Sequence, residues 1–88
     1  MHSNCYFLAM SSKITKEHFP VVLRRFRHDA GLTQEQLSER IGISTSYFGM
    51  MEVGQRWPNV DMLFRIADAL EVAPDVLVKA LDVERRKS

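Results

Sequence analysis

Apolar residues recur at every third or fourth position along most of the 88-residue chain, the spacing of helices that are buried along one face. The sequence shows no sustained two-residue alternation, which would indicate β-strands. The pattern therefore predicts an all-α fold of five short helices. We expect these helices over residues 17–30, 34–41, 45–53, 60–70 and 74–81. They divide the chain into an N-terminal arm at 1–15, a helical domain at 16–81 and a charged tail at 82–88. The arm is poorly patterned, and we expect it to be mobile or ordered by a partner.

The predicted helix boundaries coincide with residues that favour helix ends. Thr33 and Gln36 can form a capping box, in which each side chain accepts a hydrogen bond from the other residue's backbone N–H. Ser44 and Asn59 are favourable N-cap residues, and Gly42 accepts the left-handed backbone of a tight turn. The inward positions predict this core: Phe19, Val22, Leu23, Phe26, Ala30, Leu37, Ile41, Phe48, Met51, Leu63, Ile66, Ala67, Leu70, Leu77 and Leu81.

The connection between the second and third helices is the most informative part of the sequence. It consists of Gly42, Ile43 and Ser44, which is enough only for a sharp turn. Ser38 places a small side chain where the two helices must approach each other. The first turn of the third helix is then exposed on a rigid support. A helix presented in this way fits the major groove of B-DNA.

The charge distribution agrees with a protein that has one face for DNA. The formal net charge is only +1, which disfavours a protein that coats nucleic acid by charge alone. Residues 18–33 carry three arginines against one aspartate, whereas residues 58–73 carry one arginine against three acidic residues. A short sequence-specific binder needs only its more basic side to face DNA.

Several other classes of protein find little support in the composition. The single cysteine, Cys5, can form neither an internal disulfide nor a structural zinc site, and His2 beside it gives only two ligands. We therefore expect no metal, no cofactor and a reducing, cytoplasmic environment. No apolar run approaches the length of a membrane span. The pattern also offers no activated nucleophile and no glycine-rich phosphate loop, so we expect no enzymatic activity.

The chain resembles the Xre/Cro/CI family of helix-turn-helix domains. The resemblance covers roughly residues 17–81 and rests on segments in the family's order and spacing: residues 23–27 (LRRFR), 31–34 (GLTQ), 37–44 (LSERIGIS), 47–48 (YF), 52–56 (EVGQR), Pro58 and 66–70 (IADAL). It implies a compact five-helix fold like that of lambda repressor, binding to double-stranded DNA and a homodimer.

The same resemblance assigns roles by position. It implies four base-reading residues, Thr45, Ser46, Gly49 and Met50. It implies three phosphate contacts, Gln34, Tyr47 and Arg56, and a partly buried ion pair between Arg27 and Glu52. Arg24 and Arg25 lie off the apolar stripe of the first helix, and we expect them either to contact phosphates or to form a solvated face.

The base-reading positions depart from the pattern of the family. They often carry Arg, Gln, Asn or Lys, which form paired hydrogen bonds to purines, but here they are Thr, Ser, Gly and Met. Recognition is therefore expected to be weak, biased toward A·T pairs or partly based on DNA shape. Gly49 costs roughly 1 kcal/mol of helix stability relative to alanine, and either close approach of the backbone to DNA or neutral drift would explain it.

Two functions remain open at this point. The leading hypothesis is a transcriptional regulator that occupies an operator, of which a restriction–modification controller is one type. The alternative is a protein-interaction module, such as an antitoxin or adaptor, with a protein partner and weak DNA contact. The fifth helix is more apolar than one buried face requires, which predicts a dimer interface. We expect Val76, Val78, Leu81 and Trp57 there, while Trp57 could instead cover the edge of the core.

Overall fold

The computed structural model describes residues 14–87, and the other residues of the expected arm, together with Ser88, lie outside that range. Its five helices are α1 (His18–Asp29), α2 (Gln34–Ile41), α3 (Thr45–Glu52), α4 (Val60–Leu70) and α5 (Pro74–Arg86). Residues 14–87 contain no β-strand, and the predicted all-α, five-helix architecture is confirmed. Within the same range, no helix is both long enough and apolar enough to cross a membrane.

The caps predicted at the N-terminal ends of α2, α3 and α4 are present in the structure. Thr33 and Gln36 form both hydrogen bonds of the capping box at the start of α2. The side chains of Ser44 and Asn59 accept hydrogen bonds from the backbone N–H groups of Tyr47 and Met62, at 3.1 and 2.7 Å. These bonds satisfy N–H groups that a helix start leaves without partners inside the helix.

The core lies where α1 packs against α3 and α5, where α2 packs against α3 and α4, and where α4 packs against α5. Phe48 of α3 and Leu77 of α5 are fully buried within it. The prediction missed Met62, which is 9% exposed, and it was wrong about Ala30, which is exposed at the end of α1. Leu81 is only 7% exposed and belongs to the core of its own chain.

Helix α5 is longer than the hydrophobic pattern predicted. It continues through the charged residues after position 81, where short-range ion pairs replace apolar burial as the local stabilising contacts. The carboxylate of Asp82 accepts from Nε of Arg86 at 3.1 Å and lies 2.7 Å from Nη2 of Arg85. The hydrogen bond from Arg86, followed by that from Arg85, holds the pKa of Asp82 below its usual value.

Candidate nucleic-acid interface

The turn between α2 and α3 fixes the orientation of α3. Gly42 has a φ of 89°, and its N–H donates to the carbonyl of Ser38 at 2.9 Å. The N–H of Ile43 donates to the same carbonyl at 3.1 Å, and its side chain packs against the core. The guanidinium of Arg65 on α4 donates to the carbonyl of Ile41 at 2.9 Å, which secures the end of α2. Hydrogen bonds from α2 and α4 therefore fix the turn that precedes α3.

The four candidate base-reading residues share one face of α3. Thr45 and Ser46 are exposed in its first turn. Gly49 and Met50 follow one turn later and are half-buried. On the opposite face, Phe48 and Met51 are fully buried in the core. Positions separated by four residues lie above one another on a helix, so these four residues form a continuous surface.

The three candidate phosphate contacts lie in different environments. Arg56 is exposed in the loop after α3, and its backbone N–H donates to the carbonyl of Met50 at 3.3 Å. Tyr47 is half-buried against the core. Gln34 stands in the first turn of α2, and its side-chain amide donates to Oε1 of Glu52 at 2.7 Å. The amide of Gln34 is thus oriented by the protein itself.

The two neighbouring arginines of α1 point to different parts of the molecule. Nη1 of Arg24 donates to the backbone carbonyl of Glu52 at 2.6 Å, at the end of α3. Nη1 of Arg25 lies 3.6 Å from Oε1 of Glu84 on α5. Arg24 therefore borders the helix-turn-helix, whereas Arg25 faces α5. The sequence offered no signal for this separation, because both residues lie off the apolar stripe.

Glu52 is the centre of a buried polar network. It is 2% exposed, and its Oε2 accepts from Nε of Arg27 at 2.7 Å. Its Oε1 accepts from Nη2 of Arg27 at 3.3 Å as well as from Gln34. Arg27 also donates to the carbonyl of Leu32 at 3.0 Å. The structure thus brings Arg27 and Glu52 together and adds Gln34, so that one carboxylate connects α1, α2 and α3.

Gly49 allows a direct test of this surface. A Cβ atom built at position 49 would meet no atom within 4 Å apart from its own stretch of helix, and the backbone there is helical. We expect Gly49→Ala to raise the free energy of unfolding by about 0.5–1 kcal/mol, since alanine favours the helix. If the backbone approaches DNA closely at this point, the same substitution weakens DNA binding.

Chemical denaturation and a binding titration on the same sample measure both effects. Val53→Ala, at an exposed position just after α3, is the control. Binding that is unchanged in Gly49→Ala would contradict a close approach at this residue.

The comparisons with known proteins address the same part of the chain. The family model described as Helix-turn-helix matches residues 23–77, which include all of α2, α3 and α4. The chain belongs to the helix-turn-helix family. The Xre-like resemblance that the sequence indicated is therefore confirmed.

Two curated relatives of this helix-turn-helix protein are uncharacterised HTH-type transcriptional regulators. The one from Mycobacterium tuberculosis is 42% identical over 55 residues, which are 62% of this chain and 39% of that protein. The one from Sinorhizobium fredii is 41% identical over 58 residues, which are 66% of this chain and 75% of that protein. The chain thus spans about two fifths of the mycobacterial relative.

A solved structure shares the fold. It is the restriction-modification controller protein C.Esp1396I, a tetramer in complex with its natural 35 base-pair operator. The TM-score is 0.73 at 26% identity, over 80% of this chain and 92% of that chain. The likeness extends over most of residues 14–87 and is not confined to the two helices of the motif.

Proposed function

We propose that this helix-turn-helix protein is a sequence-specific transcriptional regulator that binds double-stranded DNA. It places α3 in the major groove and acts by occupying an operator rather than by catalysis. The observation that carries the proposal is the continuous outer face of α3, from Thr45 to Met50. The opposite face of the same helix is fully buried in the core, which holds the outer face in place. The similarity to HTH-type transcriptional regulators, and to C.Esp1396I bound to its operator, supports the same function.

The chemistry of this face favours readout by small groups. The hydroxyls of Thr45 and Ser46 can hydrogen-bond to base edges, and Met50 can pack on a thymine methyl group. None of these residues can form the paired hydrogen bonds by which Arg or Asn selects a purine. Part of the specificity therefore comes from DNA shape and from the close approach that Gly49 allows.

Phosphate contacts then position the protein on the duplex. Arg56 is exposed beside α3, and Arg24 is anchored at the end of the same helix. The first turn of α2 adds backbone N–H groups that favour an anion, and Gln34 stands in that turn. Tyr47, which lies on α3, is a further proposed phosphate contact. Arg25 faces Glu84 instead, so we assign it a weaker role.

Met50→Ala and Arg56→Ala are expected to weaken DNA binding in two different ways. Phosphates carry no sequence information, so we expect Arg56→Ala to weaken all duplexes similarly and to reduce the slope of log K against log salt by about 0.9. Met50→Ala should lower the ratio of specific to random binding by about 1 kcal/mol, the contribution of one or two buried methylene groups.

Competition binding at several salt concentrations, against a duplex selected from a random pool, measures both quantities. Arg86→Ala, a cation 64% exposed at the far end of α5, is the control and should change neither. An unchanged ratio in Met50→Ala would remove Met50 from the interface. A pool in which no sequence is enriched would contradict the proposed function.

We also propose a homodimer, because one short recognition helix contacts only a few base pairs. The surface that supports it is a groove of about 810 Å³ between α4 and α5. Its apolar lining comes from Ile14, which precedes α1, and from Leu63, Val78 and Leu81, and its polar lining from Asp75, Lys79, Asp82 and Arg85. Val78 is 51% exposed there. A two-fold dimer would place two α3 helices about 34 Å apart, one turn of DNA.

A protein-interaction role is the second candidate. The observation that favours it is a set of large apolar side chains outside the groove: Trp57, Val60 and Phe64 are 51%, 69% and 53% exposed. Val60 and Phe64 are four residues apart on α4 and therefore share its outer face. Copurification of a partner that is lost in Phe64→Asp, together with no enrichment of any DNA sequence, would favour an antitoxin or adaptor.

A further inference from the structure

The hydroxyl of Thr45, at the start of α3, touches a buried hydroxyl of α2. Oγ1 of Thr45 and Oγ of Ser38 are 3.2 Å apart. Ser38 is only 2% exposed, and its Oγ also lies 3.0 Å from the backbone carbonyl of Glu35, to which it donates. Three oxygens therefore form a chain that runs from the interior of α2 to the exposed end of α3.

The direction of this chain follows from counting protons. The Ser38 hydroxyl has one proton, and the Glu35 carbonyl can only accept. When Ser38 donates to that carbonyl, Thr45 must be the donor in the contact between the two hydroxyls. Both bonds then form, and each strengthens the other. In the opposite direction Ser38 donates to Thr45, and its bond to the carbonyl of Glu35 is lost.

We propose that Ser38 fixes the polarity of Thr45, so that Thr45 presents only hydrogen-bond acceptors to DNA. This inference rests on the proposed function of α3 as the recognition helix. In the major groove, adenine and cytosine expose amino groups that donate hydrogen bonds, whereas guanine and thymine offer acceptor oxygens. Thr45 therefore selects adenine or cytosine at the base it faces. Ser38 is a positioning residue, since it acts through Thr45 and does not touch DNA.

The test is the enrichment of sequences from a random duplex pool by the full chain and its variants. Thr45→Val identifies the base that Thr45 faces, because the preference at that position disappears in this variant. The wild-type protein is expected to favour A or C there. Ser38→Ala leaves Thr45 free to rotate and to donate, so this preference should fall about three- to tenfold, the worth of one neutral hydrogen bond. The other positions should keep their preferences.

Two further variants keep the test decisive. Thr45→Ser retains the hydroxyl and the chain of bonds, so it should retain the preference for A or C. Val53→Ala changes an exposed residue just after the same helix and should leave the preference at the Thr45 position unchanged. Alanine suits a helix interior, and circular dichroism checks that Ser38→Ala is folded.

The outcomes separate this inference from the proposed function. An unchanged preference in Ser38→Ala, or a wild-type preference for G or T at the Thr45 position, would overturn the fixed polarity alone. A pool with no enriched sequence for the wild-type protein would overturn both the fixed polarity and the proposed function.

Discussion

Replacing Glu52 by alanine is expected to lower the free energy of unfolding by about 3–5 kcal/mol, the usual cost of removing one partner of a buried ion pair. The carboxylate accepts from Arg27 and Gln34 while it is only 2% exposed. Its removal leaves the Arg27 guanidinium in a site with little water, where only the carbonyl of Leu32 remains as a partner. Small domains are stable by about 5–15 kcal/mol, so this single change removes a large part of the total.

A second inter-helix Arg–Glu pair serves as the matched control. Arg25 and Glu84 are 3.6 Å apart, and their side chains are 42% and 18% exposed. Because exposed pairs contribute about 1 kcal/mol or less, Glu84→Ala should have a small effect. Denaturant unfolding followed by circular dichroism measures both variants. A double-mutant cycle with Arg27→Ala isolates the coupling to Glu52, and a coupling near zero would contradict the network.

The local features of the fold could be predicted because their signals are local. A capping box, a glycine at a left-handed turn and an asparagine N-cap each act within four residues, and all are present here. The face of α3 followed from helical spacing alone, since Phe48 and Met51 must point inward. The order of the helices then limited the fold to one that the family already uses.

The remaining features depend on contacts between distant residues. Nothing in the sequence places the amide of Gln34 on Glu52, because this contact joins α2 to the end of α3. The same limit applies to Arg24 and Arg25, whose partners are on α3 and α5. The bond between Ser38 and Thr45 also escaped prediction, since a small residue at position 38 was explained by packing alone.

Helix α5 has apolar residues on several sides, so the sequence pattern alone could not identify which of them form an interface. Val76 and Val78 were expected in one interface. Residues two positions apart on a helix, however, differ by about 200° around its axis, so their side chains point to nearly opposite sides. Val78 lines the groove with Leu63, whereas Val76 does not. Trp57 is also absent from the lining of the groove. The dimer proposal therefore depends on Val78, because Leu81 is buried in the core of its own chain.

Val78→Asp is expected to dissociate the dimer, and Val76→Asp is its matched control. Both valines are on α5 and are similarly exposed, at 51% and 45%, so each aspartate should be tolerated in the monomer. In the dimer the groove would bury residue 78 of both copies. Each valine is already half-buried in the monomer, so the interface adds about half of the 1.5–3 kcal/mol of full burial, and losing both raises the dissociation constant by about 10- to 100-fold. An unpaired carboxylate in the interface adds to this loss.

Dissociation should lower DNA affinity as well, because a monomer contacts only half of a two-fold site. Sedimentation at micromolar concentration measures assembly, and titration with full-site and half-site duplexes measures binding. We expect the wild-type protein and Val76→Asp to prefer the full site, whereas Val78→Asp should bind both duplexes with the affinity of one half-site. A wild-type monomer that binds a half-site as tightly as a full site would contradict the dimer. A dimer lost in Val76→Asp but kept in Val78→Asp would move the interface to the opposite flank of α5.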